Sequence, residues 1–490
     1  TLNVLPDVWT STAYLGRPTR GAALAVISQA RLLAASELWN GNPRFKDFKN
    51  KDGELLAPQT KDQEKWRIAA EAAEDVIDLG IYHLYHNTES GDREFDPYLS
   101  FRELFMSGNH AEVIFATHKS GDWQWGYDKR CNPKNGGYSM QNATQNIVDA
   151  FLTRDGLDIN DDENYSEEGF AQKDDPDEYG KVRNEINRGY RKGESNMYVD
   201  REPRFYASVH YNGRPVLSAI TVDDRNYFSS DKNKDGFGRA EYYYSGSSGA
   251  GTQMTDFTGY NVAKKVSTSS SIRNDQAVYR PYIHIRYAEI LLNYMEACYE
   301  KNGTLDADAR KYWMQLRERA GVSTDIDATI AATDLSKEKD FGVYSGTSMV
   351  DVTLYNIRRE RMNELFSEGQ RFADLIRWRS FDRMITAKWI PEGVNFWDNL
   401  YLLYDADIKA DGTSDAVVSG KEQGKYLRPY SRNLESSNEL RDGYNWHEAY
   451  YLYPIGISDI RTASADRDIN NSNIYQNINW PTTAGGHAEK

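Results

Sequence analysis

The segment from Ile285 to Gly321, IRYAEILLNYMEACYEKNGTLDADARKYWMQLRERAG, decides the fold class of this chain. Its apolar residues recur at spacings of three and four, which is the period of an α-helix with one buried face. The two sets are Ile285, Ala288, Leu292, Met295 and Tyr299, then Ala309, Trp313, Leu316 and Ala320. Gly321 then ends the second set, because glycine adopts the left-handed C-cap conformation at little cost. The segment therefore predicts two helices joined by a short turn.

Two further pairs repeat this order of helix, turn and helix. One covers Thr19–Asn40 and Lys61–Leu79, and the other covers Val352–Phe366 and Arg371–Arg379. Helix pairs with small and aromatic residues at their seam are typical of tetratricopeptide-like repeats, although no clean period of about 34 residues is present. The prediction is a mainly α protein of tetratricopeptide-like helix pairs, an α-α superhelix. An unrelated all-α bundle is the alternative.

The segments between the pairs are predicted to be rich in loops. Gly, Pro, Asn and Asp interrupt residues 119–280 every few positions, and residues 391–444 are similarly irregular. Phe205–Tyr211 has the pattern of a short strand, and Asn212-Gly213 after it is a hairpin signal. We therefore expect long loop-rich insertions over 119–280 and 391–444 that carry a few short strands. The helical scaffold is expected to cover 14–118, 281–390 and 445–480.

Composition and charge exclude several classes of protein. The 490 residues carry a net charge of -15, which argues against nucleic acid and anionic membranes as partners because both bind basic faces. No run approaches the roughly 20 apolar residues of a transmembrane helix. Two cysteines, Cys131 and Cys298, provide neither a disulfide framework nor a zinc-ligand spacing. Aromatic residues are abundant, and many lie in the loop-rich segments, where binding residues are often found.

Several word-like segments resemble the SusD-like (SusD/RagB) family of outer-membrane nutrient-binding lipoproteins. They are Gly16–Leu24 (GRPTRGAAL), Arg286–Leu292 (RYAEILL), Ile357–Phe366 (IRRERMNELF), Gly369–Leu375 (GQRFADL), Arg377-Trp378, Tyr451–Ile455 (YLYPI), Asp459-Ile460 and Gln476-Asn477. Gly456 and Ile478 stand where the family usually has proline. The resemblance spans nearly the whole chain and places Gly16 well inside a typical member.

This resemblance implies a single SusD-like domain over residues 1–490 that lacks its N-terminal segment, including the signal peptide and the lipid-bearing cysteine. It implies a protein anchored by lipid to the extracellular face of the outer membrane. Such a protein binds oligosaccharide or polysaccharide, requires no cofactor and delivers its ligand to a SusC-like TonB-dependent transporter. Peptide binding, as in a RagB-like member, is the alternative within the family.

The most specific of these motifs is a run of alternating charges at helical spacing, formed by Arg358, Arg359, Glu360, Arg361 and Glu364. Such a run is usually a solvated helix face, where each ion pair contributes only ~0.2–0.5 kcal/mol. Arg361 falls among the apolar positions, so we expect it in a buried or interhelical ion pair. On either interpretation the motif is structural.

A glycan site needs aromatic faces for stacking and planar polar groups for hydrogen bonds. The segment Gly121–Arg130 (GDWQWGYDKR) supplies both, and Trp123, Trp125 and Tyr127 would point to one side if it is extended. Polar contacts would come from Asp122, Gln124, Arg130 and Asn132. The alternative is that the tryptophans fill the scaffold from outside, since tryptophan is mostly buried on average.

Two other aromatic clusters are candidates. Tyr242, Tyr243 and Tyr244 precede a Gly- and Ser-rich stretch, in the insertion from which the family resemblance implies ligand aromatics. Trp397, Tyr401 and Tyr404 form the other cluster. One of the three aromatic sets is expected to be a core or transporter-facing patch.

A calcium loop is a further hypothesis. Asp231, Asn233 and Asp235 place oxygens at positions one, three and five, with Gly236 at position six. Position twelve is Tyr242 where an acid belongs, so an ordinary Asx-rich turn is the alternative.

A glycoside hydrolase with two carboxylates across a cleft is the rival class of function. The sequence contains no His-Glu-x-x-His, no Gly-x-Ser-x-Gly and no phosphate-binding or dinucleotide loop. We therefore expect a binding protein that is not an enzyme.

Overall fold

The computed structural model describes residues 4–118, 123–132, 137–176, 189–214, 240, 242, 258–267, 269–270, 277–400, 424–428, 443–483 and 486–488. Within these ranges the α-helices are α1 (Arg20–Ala35), α2 (Glu64–Ile77), α3 (Pro97–Glu103), α4 (Trp123–Cys131), α5 (Gln145–Ala150), α6 (Pro203–Ser208), α7 (Tyr287–Asn302), α8 (Ala307–Ala320), α9 (Ile326–Ala332), α10 (Val352–Glu364), α11 (Gln370–Arg377) and α12 (Ile457–Thr462). The strands are β1 (Val113–Thr117), β2 (Val209–Tyr211), β3 (Tyr260–Val262), β4 (Tyr282–Arg286), β5 (Tyr344–Ser345) and β6 (Ser348–Met349).

The three predicted helix pairs are confirmed as α1 with α2, α7 with α8, and α10 with α11. Helix α7 ends at Gly303, whose φ of 67° is left-handed, and α8 ends at Gly321 with φ 68°. The Asp306 side chain accepts a hydrogen bond from the Ala309 amide and caps the start of α8. Helix α7 also packs against α1, α2 and α10, so the pairs share one core.

The strands form two-stranded ribbons. The hairpin predicted at Asn212-Gly213 stays a prediction, because residues 215–239 on its far side lie outside the described residues. Residues Pro203–Ser208 are helical, and only Val209–Tyr211 is a strand. This strand pairs antiparallel with β3, so Tyr211 lies opposite Tyr260 across a sequence gap of about 50 residues. The local pattern of alternation could not reveal that distant pairing.

The described part of the 119–280 insertion has a core of its own. Tyr198, Phe205 and Tyr211 are fully buried, and the Tyr198 and Tyr211 rings stack at 4.0 Å. Phe366 from the scaffold joins this cluster by an edge contact with Phe151 at 5.8 Å. The insertion is therefore packed onto the scaffold, and aromatic residues within it are core residues as well as surface residues.

The alternating charges of α10 are buried, which is contrary to the expected solvated face. Arg358, Arg359 and Glu360 are each 1% exposed, and Glu364 is fully buried. Arg361 forms the predicted ion pair, with its Nε 2.8 Å from Asp374 of α11. The other charges are buried because partners from distant segments surround them.

Glu364 is the centre of this buried network. Its carboxylate binds Arg286 at 2.7 Å and Arg204 at 3.1 Å, and it also pairs with Arg319. Burial by itself raises the pKa of Glu364, but these guanidinium groups outweigh burial and hold that pKa far below its usual range. The network joins α6 of the insertion to β4, α8 and α10 of the scaffold.

Hydrogen bonds join the two C-terminal motifs at Tyr451–Ile455 and Gln476-Asn477. The Gln476 side chain accepts a hydrogen bond from the Ile455 amide at 2.8 Å and donates one to the Ile455 carbonyl at 2.9 Å. Throughout the described residues, no helix has the length and apolar character needed to cross a bilayer.

Candidate functional site

The segment predicted to be an extended aromatic loop is the helix α4. Successive residues of an α-helix are turned by about 100°, so residues two positions apart face nearly opposite ways and residues four apart share a side. Trp123 and Trp125 therefore lie on different sides of α4, whereas Trp123 and Tyr127 share one. Trp125 lies beneath the Lys129 ammonium at 4.3 Å, with Tyr138 close to the same ammonium. The prediction that all three rings point to one side is therefore wrong, because it assumed an extended backbone.

Trp123 and Tyr127 begin a row of five rings that we call the aromatic strip. Its members in spatial order are Tyr127, Trp123, Tyr282, His284 and Phe115. Successive ring centroids lie 6.0, 5.4, 4.9 and 5.4 Å apart. The strip thus crosses from α4 onto the β4 and β1 ribbon.

The antiparallel ribbon explains why these side chains line up. Tyr282 and His284 are two residues apart on β4, so they share one face of the ribbon, as Phe115 and Thr117 do on β1. Thr117 lies opposite Tyr282, and its hydroxyl is 2.7 Å from the His284 ring nitrogen Nε2. Tyr282 is 37% exposed and His284 is also exposed, so this face of the ribbon is open to solvent.

Buried charges hold Trp123 in place from behind. The Arg280 guanidinium lies 4.9 Å from the Trp123 ring centroid and binds the Asp128 carboxylate at 2.5 and 3.1 Å. Gln124 donates a hydrogen bond to the Arg280 carbonyl at 2.9 Å. Arg280 and Asp128 are both buried, so their ion pair holds α4 in a fixed position against the segment at residue 280. Rigid positioning lowers the entropy cost of ligand binding.

Protonation of the strip is set mainly by desolvation. Burial lowers the pKa of His284, so its imidazole is neutral at physiological pH and can donate or accept one hydrogen bond. Lys265 lies under the strip, with its ammonium 5.3 Å from the Tyr127 ring and 5.8 Å from the Tyr282 ring. Burial lowers the pKa of Lys265 as well. Because Lys265 itself is only 9% exposed, the open face of the strip presents rings, the His284 imidazole and the Thr117 hydroxyl.

The predicted polar contacts of this segment fall in different environments. Arg130 is exposed, while Asn132 is 3% exposed and donates a hydrogen bond to the Asp128 carbonyl at 2.7 Å. Gln124 is also buried, so neither amide is available to a ligand. Asp122 lies outside the described residues.

Two other predicted platforms include buried rings. Tyr242 is 3% exposed, and its hydroxyl donates to Asn261 at 2.7 Å, so this ring is not a platform. Trp397, from the 391–444 insertion, is 4% exposed and belongs to the same buried aromatic cluster as Tyr198 and Phe205. Both were predicted from loop composition, which does not report burial. Tyr243, Tyr244, Tyr401 and Tyr404 lie outside the described residues.

The predicted calcium residues Asp231, Asn233 and Asp235 also lie outside the described residues. Among the residues that the structure describes, no three His, Cys, Asp or Glu side chains are grouped as metal ligands. The calcium hypothesis therefore stays a prediction.

Sequence reasoning missed Tyr282, His284 and Phe115. The signal that could have found them is the alternation of Tyr282, Ile283, His284 and Ile285, which is typical of a strand with one open face. Ile285 also fits the apolar spacing of the following helix, which conceals the strand in the sequence. The contact of Tyr282 with Trp123 joins residues about 160 positions apart.

Comparison with known proteins identifies the family. The sequence profile of the SusD family (SusD_RagB) matches residues 106–480, and the chain therefore belongs to the SusD family. No curated protein matches the sequence.

Solved structures share the fold at low sequence identity. The chain is similar to BT4246, with a TM-score of 0.64 and 20% identity over 98% of this chain and 74% of that one. A SusD-like protein, BF3747 from Bacteroides fragilis NCTC 9343, has a TM-score of 0.56 and 21% identity over 98% and 68% of the two chains. A SusD-like carbohydrate binding protein, BF0978 from the same organism, has a TM-score of 0.54 and 18% identity over 94% and 67%. These likenesses support the fold of tetratricopeptide-like helix pairs.

Proposed function

We propose that this protein binds oligosaccharide or polysaccharide on the aromatic strip and is not an enzyme. The observation that carries this proposal is the row of five rings on one partly open face, with its tryptophan fixed by the buried Arg280 and Asp128 pair. Membership of the SusD family and the description of BF0978 as a carbohydrate binding protein support it.

The chemistry of the strip suits a sugar chain. Each pyranose ring offers a patch of C–H groups that packs on an aromatic face, with hydroxyls at its rim for hydrogen bonds. The His284 imidazole and the Thr117 hydroxyl lie at the strip as neutral hydrogen-bonding groups. An open row of rings tolerates a repeating ligand better than it selects one small molecule.

Affinity measurements with a panel of purified glycans test this function. Trp123→Ala should weaken binding about tenfold, because it removes the largest ring of the strip. Trp125→Ala is the matched control, since it makes the same substitution two residues away on the other side of α4, and it should bind as the unaltered protein does.

Three results would contradict the proposal. Equal loss of affinity in both variants would mean that the segment binds its ligand in an extended form. Binding of peptides instead of glycans would favour the RagB-like alternative. Depletion of any glycan during incubation would mean that the protein is an enzyme.

The cellular role proposed here is delivery. The protein would lie on the extracellular face of the outer membrane, attached by a lipidated N-terminal cysteine, and pass its glycan to a SusC-like TonB-dependent transporter. Family membership supports this role. Co-purification of a tagged native protein with such a transporter tests the partner. Protease treatment of intact cells tests the surface location, and full protection of the protein would contradict it.

A further inference from the structure

A cavity of about 390 Å³ adjoins the end of the aromatic strip. Its walls come from residues 7–19, 81–82 and 108–118. Phe115, the last ring of the strip, also lines the cavity, and so does His118. The volume lies in the range of about 300–1,000 Å³ that is usual for small-molecule sites.

Glycines allow the walls to approach one another. A Cβ at Gly16 would lie 3.1 Å from the Ala116 carbonyl oxygen, and the φ of Gly16 is +83°. A Cβ at Gly108 would lie 2.2 Å from a ring carbon of Pro281, just before β4. The cavity wall is therefore built against both strands of the ribbon that carries the strip.

The lining has the mixture of groups that recognises one sugar residue. Trp9 and Tyr82 provide rings, and the Trp9 indole is held by a hydrogen bond to the Pro18 carbonyl at 3.2 Å. Arg17 and Asn109 are exposed and line the same space. The carboxylate of Asp7 is already paired with Arg20 at 2.7 Å. A neutral hydroxylated ligand is thus favoured over a cation.

The shapes of the two regions suggest how they work together. The strip is an open row of rings tilted against one another, whereas the cavity is concave and begins where the strip ends at Phe115. A sugar chain that lies along the strip and continues past Phe115 enters a space enclosed by the three wall segments. The last residue of a chain fits such a space, and the remaining residues fit the strip.

We infer that the cavity is a subsite for the terminal neutral sugar residue of a glycan whose following residues lie on the aromatic strip. This inference rests on the proposed function. The protein thereby recognises the end of a glycan chain.

The experiment uses the 490-residue chain and the oligosaccharide series of the glycan that binds best in the panel. Trp9→Ala should weaken the binding of these oligosaccharides about three- to tenfold, because one ring contact is lost. Asn109→Trp should weaken it further by filling the cavity from its rim. Ser107→Trp is the matched control, since Ser107 is exposed nearby and does not line the cavity. Thermal melting must show that each variant is folded.

A second measurement compares oligosaccharides with free ends and oligosaccharides with each end blocked by a bulky group. Blocking one of the two ends should weaken binding to the unaltered protein, and it should have no further effect on Asn109→Trp. Calorimetry should give one ligand per protein chain.

The outcomes separate the two proposals. If Trp123→Ala weakens binding while the cavity variants and blocked ends do not, the subsite is wrong and the strip stands. Two independent ligands per chain would also overturn the subsite. If no glycan binds, or if Trp123→Ala has no effect, the proposed function itself fails.

Discussion

The buried network around Glu364 and the aromatic strip around Trp123 both differ from the sequence-based expectation, one in burial and the other in backbone conformation. The charged run of α10 has the pattern of a solvated face and is buried. The aromatic segment has the pattern of an open loop, and it is a helix with Trp123 and Tyr127 in the strip and Trp125 on its far side. The difference teaches that residue type in this chain does not fix exposure, because distant partners decide it.

The largest expected effect is on stability and follows from disrupting the network around Glu364. Glu364→Ala leaves Arg286, Arg204 and Arg319 short of a buried carboxylate, so the free energy of unfolding should fall by about 3–5 kcal/mol. Urea denaturation followed by circular dichroism measures it. Glu71→Ala, which removes an exposed carboxylate from α2, is the control and should have little effect. Equal effects would mean that the network is not stabilising.

Acid should weaken the buried network of carboxylates and arginines. Burial raises the pKa of Glu368, but Arg286 and Lys264 lower it to about 2 from 4.5. Arg377 similarly outweighs burial and lowers the pKa of Glu296 to about 2. A lowered pKa contributes stability above the unfolded value of 4.5, and that stability is lost as pH falls toward 2.

The free energy of unfolding should therefore fall steadily below about pH 4.5. Urea titrations at several pH values measure this, and Glu368→Gln should reduce the slope. Glycan affinity should stay constant between about pH 8 and pH 7, because burial lowers the pKa of His284 and its imidazole is neutral there. If the free energy of unfolding does not change on acidification, the buried carboxylates do not stabilise the fold through their lowered pKa values.

The strip should respond to ring loss and not to hydroxyl loss. Tyr282→Ala should weaken glycan binding about tenfold, while Tyr282→Phe keeps the ring and should bind nearly normally. Calorimetry measures both affinities, and the melting temperature serves as the check on folding. If Phe and Ala behave alike, the hydroxyl and not the stacking face binds the ligand.

The smallest effect is expected at Tyr242. Tyr242→Phe removes the hydrogen bond to Asn261, whose Oδ1 still accepts one from Ser139 at 2.9 Å. Stability should fall by about 1 kcal/mol or less, and glycan affinity should not change. A drop in affinity at unchanged stability would restore Tyr242 to the binding face.

Much of the fold could be predicted, and less of the candidate site. The α1, α7 and α8 helices follow from local periodicity and from caps such as Gly303 and Gly321, which act within a few residues. Trp123 and Tyr127 were predicted from the same kind of local reading. Tyr282 and His284 were not, because the contact between α4 and β4 joins distant parts of the chain.

The sequence by itself determined the helix pairs, the family and the presence of aromatic residues suited to sugars. These depend on periodicity and on short motifs, which are local properties. Only the tertiary structure decided that Glu364 lies among three arginines, that Tyr242 is core, and that Trp123 continues into Tyr282. Burial and contact depend on segments separated by tens to hundreds of residues. No local sequence pattern indicates which distant segment packs against a given residue.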